Sequence, residues 1–182
     1  MNLVRELAAL ARTGQLGALH PGARLADVAA AYGDLVDTGR VHKKRRWPHW
    51  FCCGSVQMVF CRCRMLHSMS IPVWQGEAEL AVPGSGGPRS VPSRITESEL
   101  VAAFGDEGCH WEAIAYERLA DQRTLQTSPA EDVRVSFTFT DRESYDAPPG
   151  DDWILSKVNV WGLSHRECPE PDRNLPDDGY GI

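Results

Sequence analysis

Cysteines are the residues of this sequence best suited to chemistry, and four of the six, Cys52, Cys53, Cys61 and Cys63, fall within twelve residues. A structural zinc site usually places two cysteines two residues apart, because a tight knuckle then presents both thiolates to one tetrahedron. Neither the adjacent pair nor Cys61-x-Cys63 has that spacing. The sequence therefore favours reduced thiols that fill a core, and it predicts no metal ion and no cofactor. It leaves open whether the Cys52/Cys53/Cys61/Cys63 cluster binds metal.

Other catalytic patterns are incomplete. His110-Trp111-Glu112 fits half of the zinc deaminase signature, but the downstream Pro-Cys-x-x-Cys half is missing. Gly84-Ser85-Gly86 lacks the spacing of a nucleophile elbow, and residues 84–87 lack the Lys-Ser/Thr of a phosphate loop. The sequence thus predicts that the protein is not an enzyme. A small enzyme with a Cys/His site formed only in the fold is an alternative.

The charge balance favours a protein partner over nucleic acid. The chain has 182 residues, a net charge of −6 and 42% hydrophobic residues, as expected of a folded protein. An acidic balance disfavours non-specific binding to phosphates and suits a basic partner. One basic run, Lys43, Lys44, Arg45 and Arg46 within residues 42–47, gives a second alternative, a nucleic-acid-binding regulator that uses this loop.

The sequence has neither the pattern of a signal peptide nor that of a membrane helix. The N-terminal helix pattern contains Arg5 and Glu6, so it has no uninterrupted apolar region of a signal peptide. No stretch reaches the roughly 20 apolar residues that a membrane helix needs. We therefore expect a cytoplasmic protein with no membrane partner.

Hydrophobic periodicity predicts helices over 3–12 and 24–32, the second ending at Gly33. A polar segment over 34–48 is predicted as a loop, and three strands follow it. Residues 83–93 are rich in proline and glycine and are predicted as a linker. Thr96-x-x-Glu99 is a capping box that begins a third helix, which is expected to end at Gly105. Further strands follow, of which 133–140 alternates most clearly.

The two halves share a short motif. Residues 28–34 are VAAAYGD and residues 100–106 are LVAAFGD, an offset of 72. The predicted fold is α+β, a tandem repeat of helices followed by an antiparallel β-meander, with the helices packed on two sheets. The predicted units are a first repeat over 1–82, the linker over 83–93 and a second repeat over 94–168. A loosely ordered tail is expected over 169–182.

Aromatic and charged residues near predicted turns are the candidate partner-binding residues. Tryptophan is enriched in interface hot spots because it buries a large area with few rotatable bonds. Trp74 and Trp111 lie beside polar or loop positions and are the candidate anchors. Charged candidates near turns are Asp34, Asp37, Asp106, Glu107, Lys43, Lys44, Arg45 and Arg46.

The segment GALHPGARLADVAAAYGD, the basic loop and WFCCGSVQMVF resemble small actinobacterial immunity proteins that accompany polymorphic toxins. The repeated helix-and-meander plan is also similar to the beta-lactamase inhibitory protein and the BamE-like fold, over roughly residues 3–163. That resemblance implies a protein that binds and neutralises a cognate toxin through sheet and loop surfaces. It transfers no functional residue by position. The chain lacks the export signal and the disulfides of the secreted inhibitor, so an extracellular role is not expected.

Overall fold

The computed structural model describes residues 2–33, 35–43, 47–84, 87–114, 121–141, 153–162 and 168, which form three helices and ten strands. The helices are α1 (Leu3–Thr13), α2 (Leu25–Tyr32) and α3 (Glu97–Asp106). The strands are β1 (Val36–Arg40), β2 (His49–Cys53), β3 (Val56–Phe60), β4 (Leu66–Pro72), β5 (Glu77–Ala81), β6 (Pro88–Pro92), β7 (Trp111–Ile114), β8 (Gln122–Ala130), β9 (Val133–Thr140) and β10 (Ile154–Gly162). None of the described helices has the length and apolar character required to span a membrane.

Eight strands form one antiparallel sheet in the order β1-β2-β3-β4-β10-β9-β8-β7, while β5 and β6 pair separately as a hairpin. Strands β1 to β4 form one meander and β7 to β10 form another. The last strands of the two meanders, β4 and β10, pair antiparallel with Ile71 opposite Val158. The α+β class is confirmed. The two meanders share one sheet, in contrast to the expected pair of sheets, because β4 and β10 satisfy each other's backbone groups.

Helix ends follow the capping residues. Asn2 accepts a hydrogen bond from the backbone N–H of Arg5 and so begins α1. The predicted capping box is present, since Thr96 and Glu99 each accept a bond from the other's backbone N–H. The expected end of α3 at Gly105 is wrong. The helix continues to Asp106, and the chain turns instead at Gly108, where φ is +66°.

The core lies between one face of the large sheet and the layer formed by the helices and the β5–β6 hairpin. Leu7 and Leu10 of α1 are fully buried, and the Thr127 hydroxyl of β8 donates to the Ala11 carbonyl at 2.8 Å. Phe104 of α3 meets Phe137 of β9 edge to face at 5.0 Å between ring centroids. The largest fully buried side chains are Phe51, Phe60, Phe104, Phe137, Phe139, Leu7, Leu10, Leu19, Leu25, Met58, Leu66 and Ile71.

Two segments expected to be irregular contain strands. The predicted loop over 34–48 contains β1, which pairs with β2 despite its polar sequence VDTGR. The predicted linker over 83–93 contains β6, whose Val91 is buried opposite Ala78. Its prolines, Pro88 and Pro92, stand at the two ends of a strand paired on one side only, where a missing N–H is tolerated. The tail predicted over 169–182 lies outside the described residues.

Candidate functional site

The described residues expose three large hydrophobic side chains: Val36 (62% exposed), Trp74 (51%) and Trp111 (41%). Val36 begins β1 and Trp111 begins β7, which are the two outer strands of the large sheet. Trp74 lies in the turn after β4. Tryptophan is highly buried on average in folded proteins, so two tryptophans with this exposure are candidates for contact with another molecule.

One of these tryptophans lies beside a group of carboxylates. Asp106 and Glu107 end α3, and Trp111 begins β7 after a short connection; all three residues are exposed. We call these three residues the α3–β7 patch. Arg12 donates from Nε to Glu107 Oε2 at 3.0 Å. The patch therefore combines one exposed indole with two carboxylates, one of which is paired with an arginine. Glu112 follows Trp111 in β7 but lies on the other face of the sheet, where it accepts a hydrogen bond from Gln126 Nε2 at 3.2 Å.

Trp74 does not belong to this patch. The strand register places Trp111 in the same row as Met69 of β4, four strands away. Four strand spacings, and the five residues from Met69 to Trp74, separate the two indoles by about 25 Å. The two candidate anchors therefore mark two different surfaces.

The predicted residue Asp37 makes contacts within its own strand pair. Its Oδ1 lies 2.6 Å from Nε2 of the buried His49 and accepts the Gly39 backbone N–H at 2.8 Å. His49 packs between Trp47 and Phe51, with ring centroids 5.6 and 5.3 Å away. This contact links β1 to β2, so Asp37 has a structural role, although its carboxylate keeps an exposed side.

The basic run is described only in part. Lys43 is exposed, just beyond β1. Asp34, Lys44, Arg45 and Arg46 lie outside the described residues.

Three cysteines converge at the turn between β3 and β4. The sulfur atoms of Cys61, Cys63 and Cys168 all lie within 4.8 Å of one another. The Cys61 N–H donates to the Met65 carbonyl at 3.0 Å, and the Arg64 N–H donates to the Cys61 carbonyl at 2.8 Å. These bonds close a tight turn that begins at Cys61 and contains Cys63, so the two cysteines are held close together.

Cys168 reaches the cluster from beyond β10. The Arg62 guanidinium donates to the Cys168 carbonyl at 3.2 Å and so ties this part of the chain to the turn. We call Cys61, Cys63 and Cys168 the thiol cluster.

The three thiols of the cluster differ in pKa. Burial raises the pKa of Cys61 to about 12, and burial also raises the pKa of Cys63. Burial acts in the same direction on Cys168. There, however, hydrogen bonds from the thiols of Cys61 and Cys63 and from the backbone of Cys63 and Arg62 prevail, so the pKa of Cys168 lies below its usual value. The thiolate of the cluster is therefore found first at Cys168.

The structure divides the four cysteines that are close in sequence. Cys53 pairs with Val56 beside the β2–β3 turn, whereas Cys61 follows Phe60 at the other end of that hairpin. Four residues of strand separate these ends by about 14 Å. The sequence reasoning missed Cys168, which is more than a hundred residues from Cys63. The available signal was the Cys61-x-Cys63 pair together with a third, distant cysteine.

Among the described residues, the fold does not complete the Cys/His site or the half signature at His110 and Glu112. No described histidine belongs to the thiol cluster, so the cluster lacks the base of a Cys/His site there. His110, just before β7, and Glu112, within β7, are both exposed.

Comparison with known proteins gives no relative. No protein-family model matches the chain, and neither the curated proteins nor the solved structures contain a match.

Proposed function

We propose that this protein acts by binding another protein through the α3–β7 patch, and that the partner presents a basic surface. The observation that carries this proposal is the exposure of Trp111, at 41%, close in the chain to the exposed carboxylates of Asp106 and Glu107. An aromatic anchor surrounded by a polar rim is typical of protein interfaces. Complementary charge would speed the encounter with a basic partner and select against acidic ones.

The patch is held in position before any partner arrives. The Cys109 N–H donates to the Phe104 carbonyl at 2.8 Å, and the Gly108 N–H donates to the Gly105 carbonyl at 3.1 Å. These bonds fix the connection between α3 and β7. A fixed connection lowers the entropy that is lost when the indole and the carboxylates become ordered against a partner.

The resemblance described above supports a narrower form of the proposal: the partner is a toxin, and this protein is its immunity protein in the cell that makes both. The sheet topology supports the tandem repeat on which that resemblance depends. In each half a helix precedes a four-stranded meander, and the two meanders meet through their last strands. We propose that the halves are repeats related by an approximate twofold axis between β4 and β10.

The test is affinity capture from the producing strain with three baits: the wild-type chain, Trp111→Ala and Trp74→Ala. We expect one protein to be captured by the wild type and by Trp74→Ala, and much less by Trp111→Ala. With the purified partner, loss of a hot-spot indole should weaken binding by at least about 30-fold, corresponding to about 2 kcal/mol. Equal affinity of Trp111→Ala and the wild type would refute the proposed surface.

A second measurement separates protein binding from immunity. The captured partner is expressed alone and together with this chain. Growth arrest that co-expression relieves would support the immunity role. A harmless partner with Trp111-dependent affinity would refute immunity and leave the binding proposal standing.

A further inference from the structure

The thiol cluster has the donor set and the spacing of a metal site. Among the described residues, only Cys61, Cys63 and Cys168 bring three metal-ligating atoms within 4.8 Å of one another. In a tetrahedral zinc–thiolate centre with Zn–S bonds of about 2.3 Å, neighbouring sulfurs are about 3.8 Å apart. Side-chain movements of about 1 Å or less would therefore bring the three sulfurs onto one ion.

We propose that Cys61, Cys63 and Cys168 bind one Zn²⁺ ion as thiolates, and that this ion fastens the chain at Cys168 to the β3–β4 turn. Each thiol gives up its proton to solvent when its sulfur binds the ion. The fourth position of the tetrahedron is left to water or to another donor. No change of oxidation state is involved.

The chemistry of the donors selects the class of metal. Sulfur donors exclude Mg²⁺ and Ca²⁺, which take oxygen ligands. An iron–sulfur cluster needs four ligands, usually cysteines. Cys52 and Cys53 lie near the opposite end of the β2–β3 hairpin from Cys61, and Cys109 lies against α1, where its thiol donates to the Ala8 carbonyl at 3.6 Å. Zn²⁺ accepts three protein ligands with one open position, which matches the three thiols present.

The surroundings favour a bound, negatively charged centre. One Zn²⁺ and three thiolates carry a net charge of −1, and the Arg62 guanidinium is held nearby by its 3.2 Å bond to the Cys168 carbonyl. The turn is also anchored to α2, because the Leu25 N–H donates to the Arg64 carbonyl at 2.8 Å. The ion would therefore lie where α2, the β3–β4 turn and the chain at Cys168 meet.

The experiment uses the full chain, reduced and freed of metal, titrated with Co²⁺ and then with Zn²⁺. We expect one Co²⁺ per chain, with the intense sulfur-to-cobalt charge-transfer band and the visible bands of a tetrahedral site, and loss of both when Zn²⁺ is added. Cys63→Ser and Cys168→Ser should weaken binding by about tenfold or more, since a lost ligand should cost at least as much as a lost outer-shell partner. Cys52→Ser is the matched control, because Cys52, Cys63 and Cys168 are all partly buried cysteines. It should bind as the wild type does.

Absence of the charge-transfer band in the wild type would overturn the proposal, and so would an equal loss of affinity in Cys52→Ser. Binding of Cu⁺ but not of Zn²⁺ would overturn the choice of metal.

A second measurement, on the wild type alone, tests the site even if the serine variants do not fold. Zn²⁺ should protect Cys61, Cys63 and Cys168 from alkylation, as read by peptide mass spectrometry, and leave Cys52 unprotected. Equal protection of all four cysteines, or of none, would count against the site.

Discussion

Replacing Gly54 by alanine should destabilise the protein much more than the same replacement at Gly76. Both glycines have positive φ, +57° and +84°, so alanine is strained at either site. At Gly54 a new Cβ would also lie 2.5 Å from the Glu79 carbonyl oxygen and 2.8 Å from Pro88 Cβ. At Gly76 it would meet nothing within 4 Å. Comparison of Gly54→Ala with Gly76→Ala therefore separates the cost of backbone strain from the cost of the steric collision.

The collision at Gly54 has a specific structural cause. The neighbouring residue Ser55 donates its N–H to the Glu79 carbonyl at 2.8 Å, and its hydroxyl accepts the Glu79 N–H at 2.9 Å. These two bonds pull the β5 backbone against the β2–β3 turn, leaving no room for a side chain at Gly54. Relief of the collision would require the β5–β6 hairpin to move away and lengthen both bonds.

We expect the strain of positive φ to cost each variant on the order of 1 kcal/mol in the free energy of unfolding. Forcing a methyl group into the packed contact should cost Gly54→Ala about 2 kcal/mol more. For a chain of this length, that difference corresponds to a melting temperature lower by roughly 4–8 °C. The assay is thermal unfolding followed by circular dichroism, with Gly76→Ala as the control. Equal melting temperatures for the two variants would refute the close approach of β5 to the β2–β3 turn.

Two further predictions concern thiol reactivity and helix capping. In the reduced, metal-free protein at neutral pH, iodoacetamide should modify Cys168 before Cys61, because the pKa of Cys168 is lowered whereas that of Cys61 is raised to about 12, and only thiolates react. A time course read by peptide mass spectrometry tests this, and faster modification of Cys61 would contradict it. Thr96→Ala should lower the free energy of unfolding by about 1 kcal/mol, since it removes the hydroxyl that caps the Glu99 N–H at 3.2 Å. Urea unfolding measures this loss, and a variant as stable as the wild type would show that the capping box contributes nothing.

Local sequence patterns were sufficient to predict the helices and strands whose structure depends mainly on neighbouring residues in the chain. Alternation over 133–140 predicted β9 with its observed bounds, and Thr96-x-x-Glu99 predicted the start of α3. Strand β1 was missed because VDTGR has no apolar alternation and is held by pairing with β2 and by the contact of Asp37 with His49. Strand β6 was missed because its prolines resemble a linker, although they stand where no N–H is required.

Contacts between distant segments could not be predicted from the sequence. The pairing of β4 with β10 joins residues almost ninety positions apart, and no local pattern selects that partner over another strand. The same limit applies to the sites. Periodicity predicted no relation between Trp111 and the end of α3 beyond their closeness in sequence. Nothing near Cys168 indicated that it meets Cys61 and Cys63.

The thiol cluster and the α3–β7 patch should act independently of each other. Trp111 lies on β7 at one edge of the sheet, whereas Cys61 follows β3, with four strands between β7 and β3. At about 4.8 Å per strand step, the two sites are more than 20 Å apart, and perturbations at such distances usually add.

If zinc binds the native protein at 100 times its dissociation constant, removing it should cost about 2.7 kcal/mol and lower the melting temperature by roughly 5–10 °C. We expect the same decrease in the wild type and in Trp111→Ala when a chelator is added. The affinity for the captured partner should be unchanged by the chelator. A chelator that abolished partner binding in a protein still folded would show that the metal site belongs to the interface, and the two proposals would then have to be merged into one.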